Sequence, residues 1–299
     1  SEHVYASENN LSRQENMEAR RALTQATILQ KSGKQAEASA LLKDKFPNGP
    51  PAGELAVGYY KITAPLVVNG RLNIVGDGEF STTIYAVGMT AGQYMLDFNN
   101  VAGDSIYFGG MSKITLRSNN GQPTGVRLRN ASYWTFKNVQ LYQLLTGIYI
   151  TGTNCFSNFF EQVTGYNISS YTVQFDSFTG GGQYLFSGCT FNGSDGVYIT
   201  STAATDGLAF YDCNFEQCVV TDMVINGSVA GLTISGCRSE GLDGATSFLI
   251  NPSGSNYVNG ISITGCTWST DFGNAYAVDF SGTVKGFSIT GNYARYVGF

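Results

Sequence analysis

Hydrophobic residues in the second half of the chain fall in short alternating runs, and the runs recur. Phe186-Ser-Gly-Cys189, Phe210-Tyr-Asp-Cys213, Ile234-Ser-Gly-Cys237 and Ile263-Thr-Gly-Cys266 repeat one phrase, with cysteine spacings of 24, 24 and 29 residues. Related phrases stand about one period away at Phe136-Lys-Asn-Val139, Phe160-Glu-Gln-Val163 and Ile289-Thr-Gly-Asn292. A second set keeps step with the first: Val126-Arg-Leu128, Ile148-Tyr-Ile150, Val173-Gln-Phe175, Val197-Tyr-Ile199, Met223-Val-Ile225, Phe248-Leu-Ile250 and Val278-Asp-Phe280. Each run alternates with period 2, the side-chain period of a strand. The pattern predicts two strands per coil, separated by turn clusters such as Thr179-Gly-Gly-Gly182 and Asn251-Pro-Ser-Gly254. No amphipathic helical pattern follows residue 55 or so.

A period of this length is too short for a domain and suits a solenoid coil, which buries its inner face by stacking on its neighbours. The expected fold is therefore all-β, a right-handed parallel β-helix in which like residues form vertical columns. A sandwich also offers many short strands, but it has no reason to repeat one residue type at one offset. Ahead of the coils, Ser12-Arg-Gln-Glu15 has capping-box spacing, and Met17, Ala19, Ala22, Leu23, Ala26 and Leu29 predict a helix to about Ser32. A second short helix is expected over Lys34–Lys45, ended by Pro47. Residues 1–49 thus read as an N-terminal helical arm that caps the first coil, and 50–299 as the β-helix domain.

Composition narrows the chemistry. The 37 glycines and the 13% of charged residues fit strands and tight turns. Four of the six cysteines (189, 213, 237, 266) share one inward column. Stacked strands hold neighbouring Cβ atoms ~4.8 Å apart, beyond the ~3.5–4.5 Å of a disulfide, so the four are expected as free, buried thiols. Their spacing matches no zinc pattern. The single histidine, His3, leaves no Ser-His or Cys-His pair and no histidine metal site. Gly76-Asp-Gly78 lacks the third glycine and following helix of a dinucleotide site and reads as a turn. No cofactor is expected, and no run of about 18 apolar residues marks a membrane span.

Pro50-Pro-Ala-Gly53, Gly58-Tyr-Tyr-Lys-Ile62, Leu66-Val-Val68, Leu72-Asn-Ile-Val-Gly76-Asp-Gly78 and Ser81-Thr-Thr-Ile84 resemble the opening of the pectate-lyase-like β-helix domain of phage tailspikes and capsule depolymerases. The match covers some 40 residues by motif and the remainder by coil pattern. It differs in the two-helix arm that precedes it. The Gly-His-Gly and Asn-Thr-Asp clusters of the related polygalacturonases are absent. The resemblance implies a homotrimer on a virion tail, or otherwise extracellular, that binds and cleaves a bacterial surface polysaccharide, either capsule or O-antigen. Because the last phrase lies close to Phe299, a partner subunit or further sequence is expected to cover that end.

With histidine excluded, carboxylates remain for catalysis. The third residue after the Val, Cys or Asn of the repeated phrase runs Tyr142, Tyr166, Asn192, Glu216, Glu240, Ser269 and Arg295, a column predicted to face outward just past the strand. Glu216 and Glu240 are neighbours in it. Their carboxyls are expected to share a proton, which raises one pKa and gives the acid and base pairing of glycoside cleavage. Asp212, Asp243 and Asp271 are alternates. Tyr142, Tyr166 and Tyr211 are candidate sugar platforms, and Arg238 lies between the two glutamates in sequence. The competing interpretation of the same glutamates is solubilising surface. From residue 138 to 284 the sole Lys or Arg is Arg238, against eleven Asp and Glu. That charge repels polyanions, excluding nucleic acid and disfavouring a polysaccharide lyase relative to a hydrolase of neutral or amino-sugar glycans. A noncatalytic receptor-binding spike or fibre segment, or a purely structural solenoid, would show the same coils.

Overall fold

The computed structural model describes residues 54–55, 58–99, 106–216, 218–240, 246–269, 275–295 and 297–298. They form a right-handed parallel β-solenoid of about nine turns. Twenty-three strands belong to one continuous sheet wound on itself, and every strand pairing is parallel. No helix occurs among the described residues, so none there is long and apolar enough to cross a membrane. The predicted arm, 1–49, lies outside them.

The columns read from the repeat are present in register. Val126, Ile148, Val173, Val197, Met223, Phe248 and Val278 are successive partners, and Leu128, Ile150, Phe175, Ile199, Ile225, Ile250 and Phe280 run beside them. The phenylalanines of the other phrase form a ladder of rings: Phe136 on Phe160 at 5.1 Å and 10°, Phe160 on Phe186 at 4.5 Å and 7°, Phe186 on Phe210 at 4.9 Å and 9°. These spacings follow the ~4.8 Å rise between stacked strands. Identical side chains therefore meet face to face without leaving their columns.

One expectation is corrected. Each coil of the later solenoid has three strands, not two: Ala204–Tyr211, Asn214–Glu216 and Thr221–Ile225 are followed by Ser228–Ser235, Arg238–Glu240 and Thr246–Ile250. The repeated phrase spans a corner. Its third residue has positive φ in every later coil, 58° at Gly188, 51° at Asp212, 64° at Gly236, 63° at Gly265 and 62° at Gly291. A single left-handed residue turns the chain without a loop. The residue after it, a cysteine in four coils, begins the approach to a strand that three residues are too short to announce by alternation.

All six cysteines are free and buried. In the column, each thiol is within donating reach of a carbonyl of the coil before it, Cys189 of Phe160 at 3.3 Å, Cys213 of Phe186 at 3.5 Å, Cys237 of Phe210 at 3.6 Å and Cys266 of Ile234 at 3.7 Å, and of the carbonyl two residues earlier on its own coil at 3.4–3.6 Å. Asn292 continues the series in the last coil, its amide donating to Ile263 O at 3.0 Å and accepting from Cys266 N at 2.8 Å. The thiol is thus a small core residue whose weak donor faces backbone carbonyls. Titration with a thiol reagent is expected to detect no reactive thiol in the folded protein and six after denaturation in guanidinium; fast labelling of any of the four column cysteines under native conditions would contradict this packing.

Candidate functional site

The outward side of the short third strands carries two columns. The first runs Tyr59, Thr83, Thr115, Gln140, Thr164, Thr190, Asn214, Arg238, Thr267 and Tyr293. The second begins Tyr85, Arg117, Tyr142, Tyr166 and, past a register shift between Gly165 and Ile168, resumes at Asn192, Glu216, Glu240, Ser269, Arg295. The structure therefore places Glu216 directly beside Glu240, with the Tyr142–Tyr166 pair on earlier coils across a shift in register. Five coil steps from Arg117 to Glu240 span roughly 24 Å, the length of a short oligosaccharide laid along the axis.

The two glutamates sit on strand, not on turn, and both are half-buried. Each is held by the side chain two residues before it, which shares its face of the strand. Asn214 Nδ2 donates to Glu216 Oε1, and Arg238 Nη2 is ion-paired with Glu240 Oε1. Arg238 keeps 57% of its side chain exposed and Glu240 38%, so water competes for that pair.

Upstream the face becomes aromatic. Tyr142 and Tyr166 stack at 5.9 Å and 8°. Arg117 lies between rings, its guanidinium carbon 4.9 Å from the Tyr142 centroid and 5.9 Å from that of Tyr85, and it donates to Gln143 Oε1 at 3.3 Å. A cavity of about 230 Å³ opens here between Tyr59, Phe80, Thr83, Arg117, Gln140 and Tyr142. The cation fixes the ring planes from below, leaving Tyr166, 43% exposed, as a preset platform.

The remaining sequence candidates are placed differently. Asp212 is the corner residue of its coil; its amide donates to Ser235 O at 2.9 Å, and its carboxylate occupies the space where a Cβ on Gly236 would stand. Asp and Asn tolerate this left-handed geometry better than other residues with a side chain. Tyr211 is outward and exposed but lies across that corner from Glu216, stacked between Ser187 and Ser235. Asp243 and Asp271 lie outside the described residues. Among the described residues no group of three or more His, Cys, Asp or Glu side chains could hold a metal ion.

Two polar clusters escaped the sequence. On the adjoining outer face Asp176 accepts from Tyr149 Oη at 2.8 Å, Thr200 at 3.0 Å, Thr202 at 3.0 Å and Ser177 at 3.4 Å. Burial opposes its charge, but the four donors outweigh that and hold the carboxyl below its usual value. The second cluster lies inside the solenoid, behind the glutamates. Asp222, 2% exposed, accepts from Ser239 Oγ, which contacts Ser247 Oγ at 2.8 Å. Ser239 is the inward residue between Arg238 and Glu240. The signal was available: the inward column runs Phe191, Phe215, Ser239, Trp268, and a serine among aromatics leaves space for a buried polar group.

No protein-family model matches the chain, and no curated protein matches it. Solved structures do. ORF18 of Geobacillus virus E2 aligns over 83% of this chain at 18% identity with a TM-score of 0.53, and this chain spans 58% of its length. PfbA, a surface adhesin of Streptococcus pneumoniae, aligns over 88% at 10% identity and 0.57, with 78% of its own length covered. The enzymatically active domain of tailspike protein 4 from bacteriophage CBA120 aligns over 80% at 14% identity and 0.53, with 39% covered. Structural neighbours thus include a phage tailspike, and at these identities what is shared is the β-solenoid fold.

Burial pushes the Asp222 carboxyl up to about 7, with hydrogen bonds from Ser239, Cys218 and Ser247 pulling the other way and the nearby Asp195 charge adding to the rise. An unfolded Asp titrates at ~3.9. Between those values the folded state keeps a proton that the unfolded state releases, so stability falls as pH rises through this window and is unpenalised below it. At ~1.4 kcal/mol per unit the full effect is about 4 kcal/mol. Asp222→Asn is expected to melt higher than the unsubstituted protein at pH 8 and to converge with it near pH 4, read by thermal denaturation; parallel curves across that range would contradict the assignment.

Proposed function

We propose that this chain is the β-solenoid of a phage tailspike-like protein that binds a bacterial surface polysaccharide, capsule or O-antigen, and hydrolyses it on the face carrying Glu216 and Glu240. The observation that carries this reading is the register that stacks Glu216 beside Glu240, with the Tyr142–Tyr166 ring pair on earlier coils. Glycoside hydrolysis needs one carboxyl to protonate the leaving oxygen and a second, ionised one to act as base or nucleophile at the anomeric carbon. Glu240, ion-paired with Arg238, is assigned the base or nucleophile role. Glu216, which accepts from the Asn214 amide, is assigned the acid role. The tyrosine platforms bind the sugars that flank the cleaved bond. The acidic stretch from 138 to 284 suits a neutral or amino-sugar segment at this point. A homotrimer on a virion tail completes the proposal, with the spike presenting this face to the cell surface.

One observation favours a second reading, noncatalytic glycan binding: both glutamates already have a side-chain partner on their own coil. Release of new reducing ends from purified capsule or O-antigen separates the two. Glu216→Gln and Glu240→Gln are each expected to lower turnover by about 10²–10⁴-fold while binding persists, and Tyr166→Ala to weaken binding by about tenfold, the equivalent of ~1.4 kcal/mol. Unchanged turnover in both glutamine variants would remove the pair from the mechanism, and binding without any release in the unsubstituted protein would establish the second reading.

A further inference from the structure

Across the corner formed by Lys113 and Asn138, the neighbouring face of the first coils holds a second cavity, of about 470 Å³, lined among others by Asn73, Phe108, Gly110, Ser112, Tyr133 and Lys137. Its most informative residues are the two aromatics. Phe108 and Tyr133 stack at 5.2 Å and 19°, yet they remain 57% and 43% exposed. Their φ angles are 59° and 60°. The same column continues through Ser157 and Gln183 and then, in every later coil, glycine: Gly207, Gly231, Gly260 and Gly286, all with positive φ. A bulky L-residue is a steric outlier in this region, and an exposed ring gains little from burial to offset that. Backbone preference and hydrophobic preference both oppose aromatics here, which singles the pair out as a candidate binding surface.

The rest of the cradle indicates what it holds. The Arg71 guanidinium carbon lies 5.5 Å from the Phe108 centroid. Lys137 is one of the lining residues, and its ammonium meets Glu161 at 2.7 Å in a pair whose side chains are about half exposed, a bond that water weakens and a ligand carboxylate can share. Two lining glycines leave no room for a side chain. A Cβ on Gly109 would lie 2.5 Å from the Trp134 ring, and one on Gly110 would lie 2.3 Å from the Thr135 carbonyl. Charge along the sequence agrees: residues 54–137 contain seven Lys and Arg against five Asp and Glu, the reverse of the balance from 138 to 284.

We propose that this cradle is a second saccharide subsite, selective for an acidic sugar, in which Phe108 and Tyr133 stack against the apolar face of the ring and Arg71 and Lys137 take its carboxylate. The inference does not depend on the glutamate pair. The test uses the full chain carrying Glu216→Gln and Glu240→Gln, so that cleavage cannot consume the probe and the absence of cleavage in the parent protein leaves the result intact. Calorimetric titration with tetragalacturonate and with its fully methyl-esterified, neutral form is expected to show binding of the acid at least tenfold tighter than of the ester. Adding Lys137→Gln is expected to narrow that difference. Adding Phe108→Gly or Tyr133→Gly is expected to weaken binding of the acid at least tenfold and, by relieving the left-handed strain, to raise the melting temperature by roughly 2–4 °C. Equal affinity for acid and ester, or no binding of tetragalacturonate, would overturn the acidic-sugar assignment. A lower melting temperature in the glycine variants would overturn the functional role of the rings and assign them to packing.

Discussion

The solenoid depends on a single backbone device, the left-handed corner repeated at one height in every coil. From Phe108 onward the corners come in pairs five residues apart: Phe108 and Lys113, Tyr133 and Asn138, Ser157 and Gln162, Gln183 and Gly188, Gly207 and Asp212, Gly231 and Gly236, Gly260 and Gly265, Gly286 and Gly291. A five-residue side between two such corners has fixed parity, so the same positions face inward in each coil. Corner amides also continue the ladder, as Gly188 N donates to Tyr211 O at 2.9 Å, Asp212 N to Ser235 O at 2.9 Å and Gly236 N to Thr264 O at 3.0 Å. The chain can therefore turn without leaving buried backbone groups unpaired, which is the condition for packing the corner against its neighbours. The phenylalanine ladder and the thiol column follow from that parity.

This explains why so much of the fold was legible and which part was not. Columns were readable because a period of two dozen residues brings chemically matched side chains into register, and Phe136, Phe160, Phe186 and Phe210 announce one column by identity alone. The glutamate neighbours were readable by the same count, three residues after the phrase. The third strand was hidden because Asn214–Glu216 and Arg238–Glu240 are three residues each, too short for alternation to register. Glycines at 188, 236, 265 and 291 marked the corner, but Asp212 in the same place suggested chemistry. Its left-handed φ shows that a small polar side chain there meets a backbone requirement first.

Asp222 was invisible for a related reason. Alternation assigns Thr221-Asp-Met-Val-Ile225 an inward Met223 and Ile225, which leaves Asp222 pointing outward, yet Thr221, Asp222 and Met223 are all buried. The chain bends as it enters this strand, and a bend breaks parity. The vacancy at Ser239, flanked above and below by Trp268 and Phe215, receives the carboxyl instead of a ring. Its position behind Arg238–Glu240 ties the backbone of the candidate site to a buried polar group with donors on two neighbouring strands, Ser239 and Ser247. Rigidity of that kind is what a pair of glutamates needs to keep one separation along a column, because their own side chains are long and half exposed.

The division of charge along the axis links the two faces. Residues up to 137 hold most of the cations, several of them against rings: Arg71 on Phe108, Arg117 between Tyr85 and Tyr142, and Arg127 over Tyr94 at 4.1 Å while bound to both oxygens of Asp97 at 2.7 Å. A guanidinium stacked on an aromatic loses little hydration, keeps its charge and stiffens the ring beneath it. The later coils reverse the sign and, from Gly207 onward, turn their corners at glycine except at Asp212. Left-handed aromatics and cations thus share the coils where an anionic ligand would be held, while acidic side chains and corners of glycine or aspartate occupy those where a neutral stretch would be cleaved. A glycan bearing an acidic sugar once per repeat would match both ends of this polarity, since the field that attracts its charged unit to the first coils repels it from Glu216 and Glu240.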